Sequence, residues 1–124
     1  MARDTVPVRL AMVAAAGAST DAGGAAITYD VAFAARVKHV RITLPPGSAG
    51  TLQLRVEVLW QDNWQSVVAW AKGGHQFISG DDVILSFDCD WPSPQGSNLR
   101  VWYNNTDAVN AHEFFADVIL QGVA

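Results

Sequence analysis

Three histidines, one cysteine and a scatter of aspartates carry the catalytic and metal-binding potential of this chain, and their spacing suits neither task. His39, His75 and His112 stand far apart, whereas a local zinc site needs histidines within a few residues of each other. Asp81, Asp82, Asp88 and Asp90, with Asp107 further on, have the oxygen ligands that Ca2+ prefers, but their spacing matches no EF-hand loop. Asp81 and Asp82 stand where a strand pattern begins, the ordinary place for turn-forming aspartates. No G-x-S-x-G elbow presents a serine nucleophile, and a domain this small seldom carries the deep cleft that paired carboxylates need for glycoside hydrolysis. Cys89 shares its parity with Val83, Leu85 and Phe87, which makes it a small core residue with no partner for an intrachain disulfide. The expectation is a non-enzyme with no cofactor or metal.

Composition narrows the classes further. The chain has 124 residues, half of them hydrophobic and 16% charged, so it can bury a core of its own and does not read as disordered. Its net charge of −4 comes with only eight Lys and Arg. These form no basic stripe that would neutralise phosphates, so nucleic acid is not an expected partner. No apolar run approaches the roughly 20 residues of a membrane-spanning helix. The run Leu10–Ala18 follows Arg3 and Arg9, but Asp4 and Pro7 interrupt the basic region, so no secretory signal peptide is expected. The N-glycosylation pattern Asn104-Asn105-Thr106 therefore carries little weight.

The elements that must position these residues repeat with a period of two. Leu52, Leu54, Val56, Val58 and Trp60 share one face of a strand, with Gln53, Arg55 and Glu57 on the other. Val40, Ile42 and Leu44 alternate with His39, Arg41 and Thr43, and Pro45–Gly50 forms a turn. The spacing predicts a hairpin of these two strands. Val6, Val8, Leu10 and Met12 alternate in an N-terminal strand or arm, with Pro7 restricting it to an edge or a strand start. Further strands are expected around Ile27–Phe33, Trp64–Ala71, Gln76–Ser79, Asp82–Cys89, Leu99–Tyr103 and His112–Gln121. Gln61-Asp62-Asn63 is a turn, and the small residues Gly17–Ala26 read as a flexible connection. The expected fold is all-β, an antiparallel sandwich of jelly-roll type, with residues 1–26 as strand or arm plus connection and 27–124 as the sandwich domain.

Large apolar side chains on the wrong parity form the strongest functional signal. Trp60, Trp64 and Trp70 are expected in the core. Trp102 opposes Leu99, Val101 and Tyr103; Phe115 and Ile119 oppose Phe114, Ala116, Val118 and Leu120; Ile84 opposes Val83, Leu85 and Phe87. If their strands are neighbours, Ile84, Trp102, Phe115 and Ile119 make one outward patch, the usual mark of an interface. Three readings stay open: an interface, a patch covered internally by the N-terminal arm, and a ligand platform.

The stretch Val37–Val58, together with Gly80-Asp81, Trp102–Asp107, His112 and the closing strand, resembles the small β-sandwich decoration or cement proteins on the capsids of tailed bacteriophages. The resemblance rests on strand-and-turn rhythm and carries over no site residue. It implies a structural virion protein, made in the host cytoplasm, that forms homo-oligomers such as trimers and attaches to a capsid or other virion protein. The alternative is a carbohydrate-binding module stacking sugars on Trp102, Trp91 and Phe115; Ile84 and Ile119 favour a dry protein interface instead. On either reading the core folds unaided, so neither a chelator nor a reductant should shift the thermal midpoint. A fall of many degrees with a chelator would restore the aspartate cluster as a calcium site.

Overall fold

The computed structural model describes residues 5–24, 27–67 and 78–123, the side chain of Trp60 excepted. Within them are eight strands and no helix: β1 (Thr5–Ala14), β2 (Thr28–Asp30), β3 (Ala35–Leu44), β4 (Leu52–Trp60), β5 (Asn63–Ser66), β6 (Val83–Ser93), β7 (Asn98–Asn105) and β8 (His112–Gly122). They form two antiparallel four-stranded sheets, sheet A in the order β1-β8-β3-β6 and sheet B in the order β2-β7-β4-β5. The pairs β1·β8, β2·β7, β3·β6 and β4·β5 nest inside one another. That nesting is the jelly roll, a long antiparallel ribbon folded over into a sandwich. The fold is the all-β sandwich expected from the sequence.

The inner faces follow the apolar parity. Val40, Ile42 and Leu44 of sheet A meet Leu52, Leu54 and Val56 of sheet B, all fully or almost fully buried. Leu99, Val101 and Tyr103 of β7 and Phe114, Ala116, Val118 and Leu120 of β8 complete this core. One feature of β3 breaks the period. Its register with both β6 and β8 shifts between Val37 and His39, a bulge that inserts one residue and lets Val37 and Val40, three apart, both point inward. On β6 the inward residues Val83, Leu85, Phe87, Cys89 and Trp91 are only half-buried, as suits a sheet edge. Pro92 sits in this edge strand, where its missing N–H leaves no ladder bond unmade.

Two expectations about connection are corrected. The strands around Pro45–Gly50 do not form a hairpin: β3 pairs with β6 and β8, while β4 pairs with β5 and β7. The turn is a corner that carries the chain from one sheet to the other, because both strands aim their apolar faces at the same interior. A true hairpin joins β4 to β5, with Trp60 opposite Asn63 and positive φ of 52° at Gln61 and 62° at Asp62, the two-residue turn whose twist suits a hairpin. Expectations for Val68, Trp70, His75 and Gln76, and for the side chain of Trp60, fall outside the described residues.

Of the two expectations for the N-terminal segment, strand or arm, residues 5–14 are the strand. β1 pairs with β8 from Thr5↔Gln121 to Ala14↔His112 without a break, and Val8, Leu10 and Ala14 lie in the core, with Val6 and Met12 packed against it. The next segment is held as well. Thr20 N donates to Tyr103 O, Asn105 N to Ala18 O and Gly17 N to Asp107 O, while Tyr103 N donates to Thr20 Oγ1. Gly24 turns so close to Tyr103 and Ser19 that a Cβ would lie 2.6 Å from the Ser19 carbonyl oxygen. Residues 5–24 thus belong to the sandwich body. Leu10→Ala should accordingly cost about 2–5 kcal/mol of stability in urea unfolding, where a dispensable arm would give no change.

Candidate functional site

The outer face of sheet A is ruled into rows by the register of its strands. One row crosses the sheet as Ala11, Phe115, Thr43 and Ile84. The next runs Arg9, Asp117, Arg41 and Ser86, and the third Pro7, Ile119, His39 and Asp88. The middle row is ionic: the Arg9 guanidinium holds the Asp117 carboxylate at 2.8 and 3.2 Å and lies 5.2 Å from the centre of the Phe115 ring. The first row is mostly apolar and half-buried, with Ile84 58% exposed at its β6 end, and Val13, two residues beyond Ala11 on β1, is 54% exposed.

At the end of the apolar row the surface sinks into a groove of about 530 Å3 between the Pro45-Pro46 corner and the start of β6, with Ile84 and Phe115 on its walls. Ile119 lies in a shallower depression with Pro7 and His39. Ile84, Phe115 and Ile119 thus share one face.

Trp102 does not join them. It belongs to β7 in sheet B, on the opposite side of the molecule, and it is 7% exposed. Its indole Nε1–H donates to Asp21 at 2.9 Å, and the Arg55 guanidinium stacks 3.9 Å from the ring centre. The patch of four expected from the sequence is therefore three residues on sheet A and one on sheet B. Parity assigned Trp102 correctly to an outer face, but not to which sheet.

Around Trp102 the outer face of sheet B is closed by its own polar and aromatic groups. Glu57, 5% exposed, accepts from Arg100 Nε at 2.8 Å and lies 3.6 Å from Arg55 Nε. Arg100 in turn stacks 3.9 Å from the centre of the Trp64 ring, so Trp64 sits on this face and not in the core as expected. A buried carboxylate is tolerable only with such charge-assisted partners, and each guanidinium gains a second partner in an aromatic face. The sequence carries this cluster as Arg55-x-Glu57 and Arg100-x-Trp102 on outward positions. It becomes visible only when the register sets Arg55 opposite Trp102 and Glu57 opposite Arg100. The rings considered for sugar stacking are engaged likewise: Trp102 under Arg55, Trp91 against the core and Phe115 under Arg9.

Several other titratable groups hold loops and strands together. His112, buried at the start of β8, is 2.9 Å from Asp107 through its Nε2. Asp107 also accepts from the backbone N–H groups of Val109 and Asn110 and from the Asn110 amide. Those donors, the Val109 N–H first, hold its carboxyl well below the usual carboxylate range. The neighbouring Asn105 amide donates to the carbonyls of Ala14, Ala15 and Asn110, tying the end of β1 to the β7–β8 loop. His39 meets the exposed Asp88 at 2.8 Å. Burial pushes the Cys89 thiol up, with Asp88 and Asp90 adding to the effect, which disfavours the nucleophilic thiolate. Asp81 braces a turn by accepting from Gly47 N and Ala49 N. Among the described residues no three His, Cys, Asp or Glu side chains converge as a metal site.

A scan against protein families matches none, and a comparison with curated proteins finds no match. Solved structures are similar in fold. A chain of the "Cyanophage Pam1 capsid asymmetric unit" superposes with a TM-score of 0.57 at 12% identity, over 98% of this chain and 86% of that one. The second, "Structure of infectious bursal disease virus Gx strain", covers 97% of this chain but 31% of that one, with a TM-score of 0.41 at 13% identity, too low to carry an argument. The first likeness establishes a shared jelly-roll fold across nearly the whole of two chains of similar size.

The lowered Asp107 carboxyl predicts a contribution to acid sensitivity. In the unfolded chain its carboxyl takes up a proton near the ordinary value of about 4, whereas in the folded protein it does so only at much lower pH. The unfolded state therefore binds the proton first as pH falls, so the stabilisation is present above about pH 4 and drains away below it. Asp107→Asn should lower the urea midpoint at neutral pH and flatten its decline between pH 5 and pH 2. A variant with the wild-type pH profile would show that Asp107 contributes nothing to the acid limb.

Proposed function

We propose that this chain is a non-catalytic structural protein of a bacteriophage particle, a decoration or cement protein that sits on the capsid and associates with copies of itself. The observation that carries the proposal is the end-to-end likeness to a chain of a cyanophage capsid, in which the whole jelly roll and not a part of a larger enzyme is matched. A fold alone does not fix a function, so the surface is the second support for the reading. The histidines and most aspartates described above are engaged in ion pairs and loop braces, and the outer face of sheet A keeps Ile84 and Val13 exposed, which a protein contact would bury.

On this reading self-association uses β1, the edge of sheet A among the described strands. The strand presents ten residues along the edge of sheet A, and a long edge strand is a template for pairing with another chain. Pro7 interrupts it near its start, leaving the stretch to Ala14 continuous. This edge takes the place of the free N-terminal arm as the means of reaching a neighbour, since the residues of that arm already stand in the sheet. Closed symmetric oligomers, a trimer among them, are the common outcome of such contacts.

Mass spectrometry of purified particles from cells carrying this gene should detect the protein in many copies, and particles that lack it end the virion reading. Light scattering of the purified protein should give an oligomer that Val13→Lys shifts toward monomer, since the exposed Val13 can be replaced without touching the core. A wild-type monomer at the highest soluble concentration would refute self-association.

A further inference from the structure

We propose that the groove at the end of the apolar row on sheet A is the docking site for a segment of another protein, one that presents a bulky apolar side chain flanked by lysine or arginine. The inference deepens the virion reading and rests on it only for where that protein is met. Its walls are Pro45, Pro46, Ile84 and Phe115, and its rim carries the carboxylates of Asp82 and Glu113. The volume of about 530 Å3 falls in the range that takes anchoring groups, roughly 300–1,000 Å3.

The groove is formed before anything enters it. Its proline lip is tied to the start of β6 from several sides: Gly47 N and Ala49 N donate to Asp81 Oδ1 at 2.7 and 3.1 Å, and Asp82 N donates to Pro45 O at 3.2 Å. Ser48, fully buried, donates through Oγ to the carbonyls of Pro45 and Gly80. A lip fixed in this way spares a bound segment the entropy of ordering it.

Charge selects the occupant. Neither Asp82 nor Glu113 forms an ion pair with any described residue; Arg9, Arg36, Lys38, Arg55 and Arg100 are held by carboxylates of this chain, and Arg41, in the middle row of sheet A, does not line the groove. The groove therefore offers apolar walls and two rim carboxylates that no described residue neutralises. A second copy placed groove to groove would set both its Asp82 and Glu113 against those of the first, in a protein already carrying a net charge of −4, and like charges in close juxtaposition are a strong penalty on association. A segment with a basic flank neutralises the rim while its apolar side chain covers Ile84 and Phe115.

The test is a selection from a displayed library of random peptides against the immobilised full-length protein. Peptides enriched over background should carry an aromatic or large aliphatic residue next to Lys or Arg. Their binding should fall about tenfold in Ile84→Lys, as expected for loss of a central anchor. It should fall about three- to tenfold in the double variant Asp82→Asn, Glu113→Gln, and weaken as salt is added to the wild type. Ile84 is exposed, so its variant should keep the wild-type melting temperature. The proposal is overturned by a selection that yields nothing, by enriched peptides without basic residues, by equal binding to Ile84→Lys, or by full competition from a soluble second copy. Particles that lack the protein would end the virion reading and leave this result standing, and a failed selection would do the reverse.

Discussion

The ladder between the first and last strands is the constraint on which the rest of the molecule depends. β1 and β8 pair along their length, so the chain must return to its own beginning before sheet A is complete. Each inner pair of strands is enclosed by the one outside it, and apart from the β4–β5 hairpin the neighbours in both sheets are strands distant in sequence. The inner faces then have no choice of direction. A strand that turned its apolar row outward would leave a gap opposite Leu52, Leu54 and Val56 and expose its own row to water. Burial of these rows, at about 25 cal/mol per Å2, holds the two sheets together. The backbone ladders satisfy the polar groups that burial takes from solvent.

The same geometry divides the outside into two surfaces of opposite character. On sheet B the guanidinium groups of Arg55 and Arg100 each join Glu57 to a tryptophan face, so charge and aromatic area cancel within the molecule. Little is left there for a partner to gain. On sheet A the ionic pair Arg9–Asp117 occupies one row and leaves the next apolar. Water must cover Ile84 and Val13 unless another protein does. The asymmetry is a consequence of register: the outward residues of β4 and β7 are complementary across the ladder, while those of β6 and β8 at the proline corner are not.

Much of this was legible in the sequence, because alternation reports which way a side chain points. It assigned the inner rows of β4, β7 and β8, and it placed Ile84, Phe115, Ile119 and Trp102 outside. Alternation is silent about which strand lies beside which. Hence the corner at Pro45–Gly50 read as a hairpin, and Trp102 was joined to residues on the far sheet. The bulge between Val37 and His39 was hidden for a related reason, since one inserted residue leaves the pattern intact on either side and shifts only its phase. Trp64 was misplaced because a large aromatic ring is a core residue by default, and only the cross-strand arrival of Arg100 gives it a place outside. Composition misjudged residues 17–24: small side chains permit flexibility, but backbone hydrogen bonds to β7 decide against it here.

A body of this kind suits repeated weak attachment more than a single strong contact. The turn that forms the groove's lip is already braced by Asp81 and Ser48, so docking there would not require it to reorganise. On the proposed reading many copies would stand on one lattice, and an edge contact between neighbours would hold each copy close to its own attachment point. The effective concentration of one site for its target is then set by geometry, and modest contacts combine into firm attachment without any one of them being large. Rigidity is the condition for that gain. A flexible body would spend the advantage on ordering itself, and it is the closed ladder of β1 and β8, with the braced corner at Pro45, that keeps the groove and the free strand edge at a fixed distance from one another.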